Sequence, residues 1–162
     1  MSALAQPLAA AISTLEGKTS YRRPASLEEA PLVTDCLTSI HYLFKNALQI
    51  DIPLTYIGDM PRRLLSYGEW RAMKIDLKDA RCGDLLFVKN RGREKLVSHV
   101  AMVLETDRIF HCCLAAGTAV VQSETEFFSL YEQRLDFVKM IRYIDPRNRE
   151  LRDLNQGVFM QV

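Results

Sequence analysis

The stretch from Val97 to Cys113 restricts the fold more than any other, because it reads as a β-hairpin whose turn length decides which side chains share a face. Val97 to Leu104 alternates as a half-buried strand does, Glu105-Thr106-Asp107 supplies the turn, and Arg108 to Cys113 returns. A three-residue loop centred on Thr106 pairs Leu104 with Arg108 and therefore Ala101 with His111. His99 then projects from the same face as His111, since side chains alternate with a period of two. Diagonal neighbours of this kind lie about 7 to 8 Å apart, within reach of ring side chains. A two-residue loop would put the rings on opposite faces, so the turn fixes whether two of the chain's 3 histidines can meet.

The second constraint is Thr34-Asp35-Cys36 with the run to Leu48. Asp35 is suited to cap a helix, because its short carboxylate accepts from the free amides of the first turn. Ile40, Leu43, Phe44, Ala47 and Leu48 recur at helical spacing, and Cys36 lies on the same stripe at the first helical position. The helix dipole favours a thiolate there, and an adjacent imidazolium would lower the thiol pKa further, into a range of about 3.5 to 7.5. The plain alternative is a small core residue on an apolar face. His41, roughly 140° around the helix from Cys36, is expected on the surface.

A chain of 162 residues suits one domain, and a net charge of +1 gives no bulk attraction to nucleic acid or an anionic membrane surface. No apolar run approaches the roughly 20 residues of a membrane span. Met1 to Ile12 lacks the basic start and long apolar stretch of a signal peptide and is read as structure. The 4 cysteines include the adjacent Cys112 and Cys113, which could not easily bridge each other; free thiols in a reducing compartment are expected.

Leu8, Ala11, Ile12 and Leu15 predict an opening helix that Pro7 can start and Gly17 can end. Tyr21 to Pro31 is a connection, and Tyr21 either reaches over a site as a phenol or packs by its ring. A short helix is predicted around Arg62 to Tyr67, where Arg62-Arg63 could hold a carboxylate or form a solvated face, and Trp70 is expected to pack under this insertion. Cys82-Gly83-Asp84 turns into a strand at Leu85 to Val88, followed by a basic loop from Asn90 to Lys95. Beyond the hairpin, a turn at Ala115 to Thr118 leads to a strand from Ala119 to Gln122, a mixed segment from Phe127 to Phe137 and a last strand from Val138 to Ile144. Asp145-Pro146 ends it. Residues 1–145 are read as the functional domain and 146–162 as an extension, either an added helix or a loosely held tail.

A thiol at a helix start and two imidazoles on one hairpin face suit nucleophilic catalysis: one imidazole moves protons and the other holds its tautomer. A metal site from His99, His111, Cys112 and Cys113 is the weaker reading, because successive strand residues point to opposite faces and the spacing matches no common zinc pattern.

These segments, in this order, resemble the NlpC/P60 cysteine peptidases. Asp35-Cys36 opens a helix that continues Ile40-His41-Tyr42-Leu43-Phe44; Cys82-Gly83-Asp84-Leu85-Leu86-Phe87 is similar to the family's Pro-Gly-Asp-Leu-Val-Phe; Ser98-His99-Val100-Ala101-Met102 is similar to Gly-His-Val-Gly-Ile; and Ile109-Phe110-His111-Cys112 matches a histidine followed by a small residue. The resemblance implies an α+β, papain-like fold, with the nucleophile-bearing helix and its N-terminal neighbour packed on a central antiparallel sheet. It implies hydrolysis of an amide in a peptidoglycan stem peptide or muropeptide, typically D-γ-glutamate to a diamino acid, with no cofactor or metal. Cys36 would be the nucleophile, His99 the base and acid, His111 the orienting residue, and Tyr21 a neighbour of the oxyanion. Leu37-Thr38-Ser39 departs from the family's Ser-Gly-Phe after the cysteine. The alternatives are another thiol amidase, transpeptidase or acyltransferase on the same core, or a catalytically silent binding domain. Without a recognisable export signal or wall-binding domain, the expectation is a cytoplasmic enzyme or an effector exported by another route. The sequence leaves the oligomeric state open.

Overall fold

The computed structural model describes residues 5–52, 57–58, 60–66, 70–91, 97–105, 107–132, 136–144 and 151–153. Thr106, most of the basic loop after Arg91, the side chain of Trp70, Asp145-Pro146 and the tail other than 151–153 lie outside them.

Helix α1 (Ala5–Leu15) buries Leu8, Ala11, Ile12 and Leu15, the four residues of the predicted stripe. Gly17, at φ 69°, takes the left-handed turn that ends the run, a conformation in which a Cβ is strained. Its N–H donates to the carbonyl of Ala119, which ties the end of α1 to the sheet. Short strands β1 (Ser20–Tyr21) and β2 (Val33–Thr34) then pair in parallel and deliver the chain to Asp35.

Helix α2 (Cys36–Leu43) starts where the cap predicts, with the Asp35 carboxylate accepting from the N–H of Leu37 at 3.0 Å and of Thr38 at 2.8 Å. The Thr38 hydroxyl answers by accepting from the Asp35 N–H at 2.8 Å, which closes a capping box. The helix passes into a π-helical turn over Phe44–Leu48, and Gln49 at φ 57° ends it. The surface placement of His41 is corrected here: it is 8% exposed. A single-stripe reading assumes one packed face, whereas α2 is packed by α1 as well as by the sheet, so residues on several sides of it are buried.

Helix α3 (Met60–Ser66) occupies the insertion, with Arg62 and Arg63 exposed, and strand β3 (Trp70–Lys74) follows. That strand was not expected from the residue pattern. Strands β4 (Leu85–Val88), β5 (His99–Val103), β6 (Ile109–Cys113), β7 (Thr118–Gln122), β8 (Asp136–Ile144) and β9 (Leu151–Asp153) complete the antiparallel sheet. Its order is β3-β8-β4-β5-β6-β7, with β9 paired to β8. Two further segments differ from expectation. Helix α4 (Glu124–Leu130), capped by Ser123 with Glu126, runs into the start of the mixed segment, and residues 151–153 of the tail form β9, a strand where an added helix or a loosely held extension was expected.

The two faces of the sheet carry different layers. Leu85, Phe87, Val100, Met102, Phe110 and Cys112 pack with α1 and α2. Leu86, Val88, Ala101 and Ile109, the alternate residues, pack with Phe127, Phe128 and Tyr131 from α4 and its end. Among the described residues, no helix is long and apolar enough to cross a membrane.

Candidate active site

The hairpin has the register that brings its histidines together. Met102 pairs with Phe110 and Val103 with Ile109, and the Leu104 N–H donates to the Arg108 carbonyl at 2.8 Å, as a three-residue turn requires. His99 Nε2 lies 2.9 Å from His111 Nδ1, and His111 Nε2 lies 2.6 Å from Gln122 Oε1. These contacts order the protons. The amide oxygen of Gln122 can only accept, so His111 carries its hydrogen on Nε2 and offers a lone pair at Nδ1. His99 must then donate from Nε2, which leaves its Nδ1 free to take a proton. Burial holds His99 neutral, well below the usual histidine pKa, helped by the neighbouring His111 and the charge of Arg23. Burial also lowers His111, with Gln122 opposing.

Aromatic rings enclose this relay. Tyr131 stacks on His99 with centroids 4.4 Å apart and planes 2° from parallel, and Phe127 meets His111 edge-on at 5.0 Å. Both rings come from α4 and its C-terminal end, on the sheet face away from α2.

Cys36 packs in the other layer, yet close enough to the relay to act electrostatically on Tyr131, the ring stacked on His99. Cys36 is 2% exposed, at the first position of α2 and in the layer that contains Val100 and Met102. The backbone of Val100, the residue after His99, hydrogen-bonds the sulfur and favours its anionic form, as does the Arg23 charge. Burial and the Asp35 carboxylate outweigh them and push the thiol up to about 12. The pKa expected from the sequence was low, and this is a correction for the resting protein. The helix dipole and a neighbouring histidine were counted, but desolvation, which comes from tertiary packing, is the largest influence. Among the described residues no hydrogen bond joins Cys36 to His99. In its resting form the site therefore holds a neutral thiol beside strand β5 and a neutral, preoriented imidazole at that strand's first residue.

A cleft of about 550 Å³ opens over the relay, lined among others by Tyr21, Arg23, Ser98, His99, Leu114 and Tyr131. Tyr21 is half-buried, and the phenol's pKa is raised by burial and then by Cys36, which places it within electrostatic reach of the sulfur. A larger hollow of about 830 Å³ between α1 and the β5–β6 turn contains none of these groups. The four candidate metal ligands do not converge: Cys112 turns to the α2 side, its sulfur 3.4 Å from the Thr34 hydroxyl, whereas the histidines face α4. All 4 cysteines are buried and free.

Three residues of the site escaped the sequence reading. Gln122 could have been found, because pairing His111 with Val120 across β6 and β7 puts Gln122 two residues along on the same face. Tyr131 had a fainter signal in the capping box Ser123-x-x-Glu126, which announces the helix that carries it. Arg23 lies in a connection with no periodicity to place it.

Comparisons with known proteins bear on the family and the fold. The NlpC/P60 family model matches residues 18–134. The NlpC/p60 domain of the peptidoglycan hydrolase SagA is 22% identical, with a TM-score of 0.55 over 86% of this chain and 98% of that one. NlpC1 from Trichomonas vaginalis is 20% identical with a TM-score of 0.59, over 82% of this chain and 42% of that one. The peptidoglycan hydrolase RipB from Mycobacterium tuberculosis is 18% identical with a TM-score of 0.57, over 84% and 63%. No curated protein matches significantly. The solved structures share the fold, and the family model spans most of the chain: this protein belongs to the NlpC/P60 family.

Proposed function

We propose that the protein is a cysteine peptidase that hydrolyses amide bonds in peptidoglycan peptides, acting at the bond from D-γ-glutamate to a diamino acid. The observation that carries this reading is the ordered chain His99–His111–Gln122 at the start of the strand whose next residue, Val100, meets the Cys36 sulfur.

Each step follows from the protonation states. The resting thiol is neutral, so Cys36 gives its proton to His99 Nδ1 as the sulfur attacks the amide carbon. His111 stays neutral and accepts from His99 Nε2, which stabilises the imidazolium that forms. The oxyanion is held by the Cys36 N–H, free at the helix start, and by the Tyr21 hydroxyl, where each donor is worth about 3 to 4 kcal/mol. His99 then protonates the leaving amine, and water, deprotonated by His99, cleaves the thioester.

The buried thiol with its raised pKa favours a second reading, a catalytically silent domain. Incubation with a γ-D-glutamyl-diamino acid peptide and mass analysis of the products separates the two. The peptidase yields a free γ-carboxylate and a free amine, and Cys36→Ala yields neither. Transfer of the acyl group to an added amine would mark an acyltransferase on the same core. No turnover of any stem peptide by the parent protein would leave the silent domain.

A further inference from the structure

Arg22 and Arg23 are neighbours in sequence, but they are held differently. The Arg22 guanidinium is ion-paired with Glu29. Arg23 is exposed, and its Nη1 donates at 3.3 Å to the carbonyl of Ser98, the residue before His99. Among the described residues no carboxylate meets Arg23, so most of its five N–H donors remain open. It lines the cleft with Tyr21, His99 and Tyr131, and none of the described lining residues is acidic. Asp35, the carboxylate closest in sequence to Cys36, is committed as an acceptor from the N–H groups of Ala25, Leu37 and Thr38. The Arg23 charge also acts on Cys36, Tyr21 and His99, so it stands within reach of all three candidate reacting or oxyanion groups.

An unneutralised, forked cation held over a cleft without acids is built to receive an anion, and a guanidinium fork matches a carboxylate in two parallel hydrogen bonds. We propose that Arg23 is a specificity residue that binds a free carboxylate of the substrate beside the amide under attack. The identity of that substrate as a peptidoglycan peptide rests on the function proposed above; the preference for an anion at this place does not. The carboxylate could be the α-carboxylate on the glutamyl side or one on the diamino acid side, and both supply the same chemistry.

Two measurements test this with different dependences. The first compares kcat/KM for a γ-D-glutamyl-diamino acid peptide with that for peptides amidated at one carboxylate or the other. The parent should lose about 10- to 100-fold on one amidated peptide, the loss expected for a charged hydrogen-bonded pair. That peptide names the side read, and Arg23→Gln should bring the ratio of acid to amide near one. Arg23→Lys, which keeps the charge without the fork, should fall between. The second compares alkylation of Cys36 by iodoacetate, an anion, and iodoacetamide, its neutral analogue, followed by peptide mass mapping. The ratio of the two rates should drop about threefold or more in Arg23→Gln, as for loss of one nearby charge. A parent that cleaves the acid and both amides equally, with no change in Arg23→Gln, overturns the inference while the peptidase stands. No cleavage of any peptide, with an alkylation ratio that still depends on Arg23, removes the peptidase and keeps the anion site. A Cys36 that takes both reagents in a ratio indifferent to Arg23, or takes neither, overturns the inference whatever the peptides show.

Discussion

The two faces of strand β5 solve opposite problems. On the α4 side, His99 is held through Nε2 and by its ring face: hydrogen-bonded to His111 at 2.9 Å, stacked under Tyr131 at 4.4 Å, and joined through His111 to Gln122. On the α2 side, Cys36 has a preset backbone, through the Asp35 cap, but its thiol is desolvated and its pKa is pushed up to about 12. In the proposed mechanism, the base is therefore ready before substrate arrives, and the nucleophile is not. Activation in that mechanism belongs to the encounter: proton transfer to His99 would coincide with attack, in place of a standing thiolate-imidazolium pair.

Removing the reacting atoms breaks the comparison most severely. Cys36→Ala and His99→Ala should each lower kcat for the stem peptide by about four orders of magnitude or more, since members of a catalytic unit are not individually dispensable. His111→Ala should act more mildly, about 100-fold, because it removes the support for a tautomer and leaves the base in place. Equal losses from His111→Ala and His99→Ala would mean that the relay is not ordered as its hydrogen bonds indicate. Steady-state kinetics on one peptide distinguish these outcomes.

Gln122 sharpens the α4 side. Gln122→Leu keeps the volume but removes the acceptor at 2.6 Å that keeps the His111 hydrogen on Nε2. A loss of about tenfold in kcat with little change in KM is expected, because the group never touches substrate. Gln122→Glu should raise the His111 pKa by placing a carboxylate beside it, and thereby move the acid limb of the pH–rate profile upward. An unmoved acid limb in Gln122→Glu would separate Gln122 from the relay.

What could be read beforehand divides along the same faces. The hairpin register was legible because one integer, the turn length, combined with the period of two sets every pairing from Leu104 to His111. The Asp35 cap was legible because its chemistry is local to four residues. The state of the thiol was not, since burial under α1, α2 and the sheet is a sum over distant segments that no window of sequence contains. His41 failed for the same reason. Helix α4, with only 7 residues, is too short for its periodicity to stand out, so its aromatic roof over the histidines went unseen.

Tyr131 gives a smaller effect. Its ring holds the plane of His99, a contact worth about 0.5 to 1.5 kcal/mol beyond burial. Tyr131→Leu should therefore lower kcat about three- to tenfold. Tyr131→Phe, which retains the ring, should recover most of that loss. If Phe and Leu behave alike, the hydroxyl matters and the stack does not. The same kinetic assay reads both variants.

The mildest test is stability against pH, where the His99–His111 pair should weigh on the acid limb and the buried thiols on the alkaline one. His99 and His111 have folded pKa values below the unfolded value of about 6.5, so below that pH the unfolded chain binds protons that the native chain refuses. Their contribution is present above about pH 6.5 and is lost as the pH falls. Cys36 and Cys112 behave in the reverse sense, being raised to about 12 and about 11. Their contribution is present below the unfolded thiol pKa of about 8.5 and is lost as the pH rises past it. Tm should accordingly be flat between about pH 6.5 and 8.5, falling by a few degrees on either side. Cys36→Ala should soften the alkaline limb alone, because it removes a thiol that only the unfolded chain ionises. His111→Ala should soften the acid limb alone. A thermal scan in which Cys36→Ala leaves the alkaline limb unchanged would show that the sulfur is hydrated in solution, and the contrast between the two faces of β5 would then disappear.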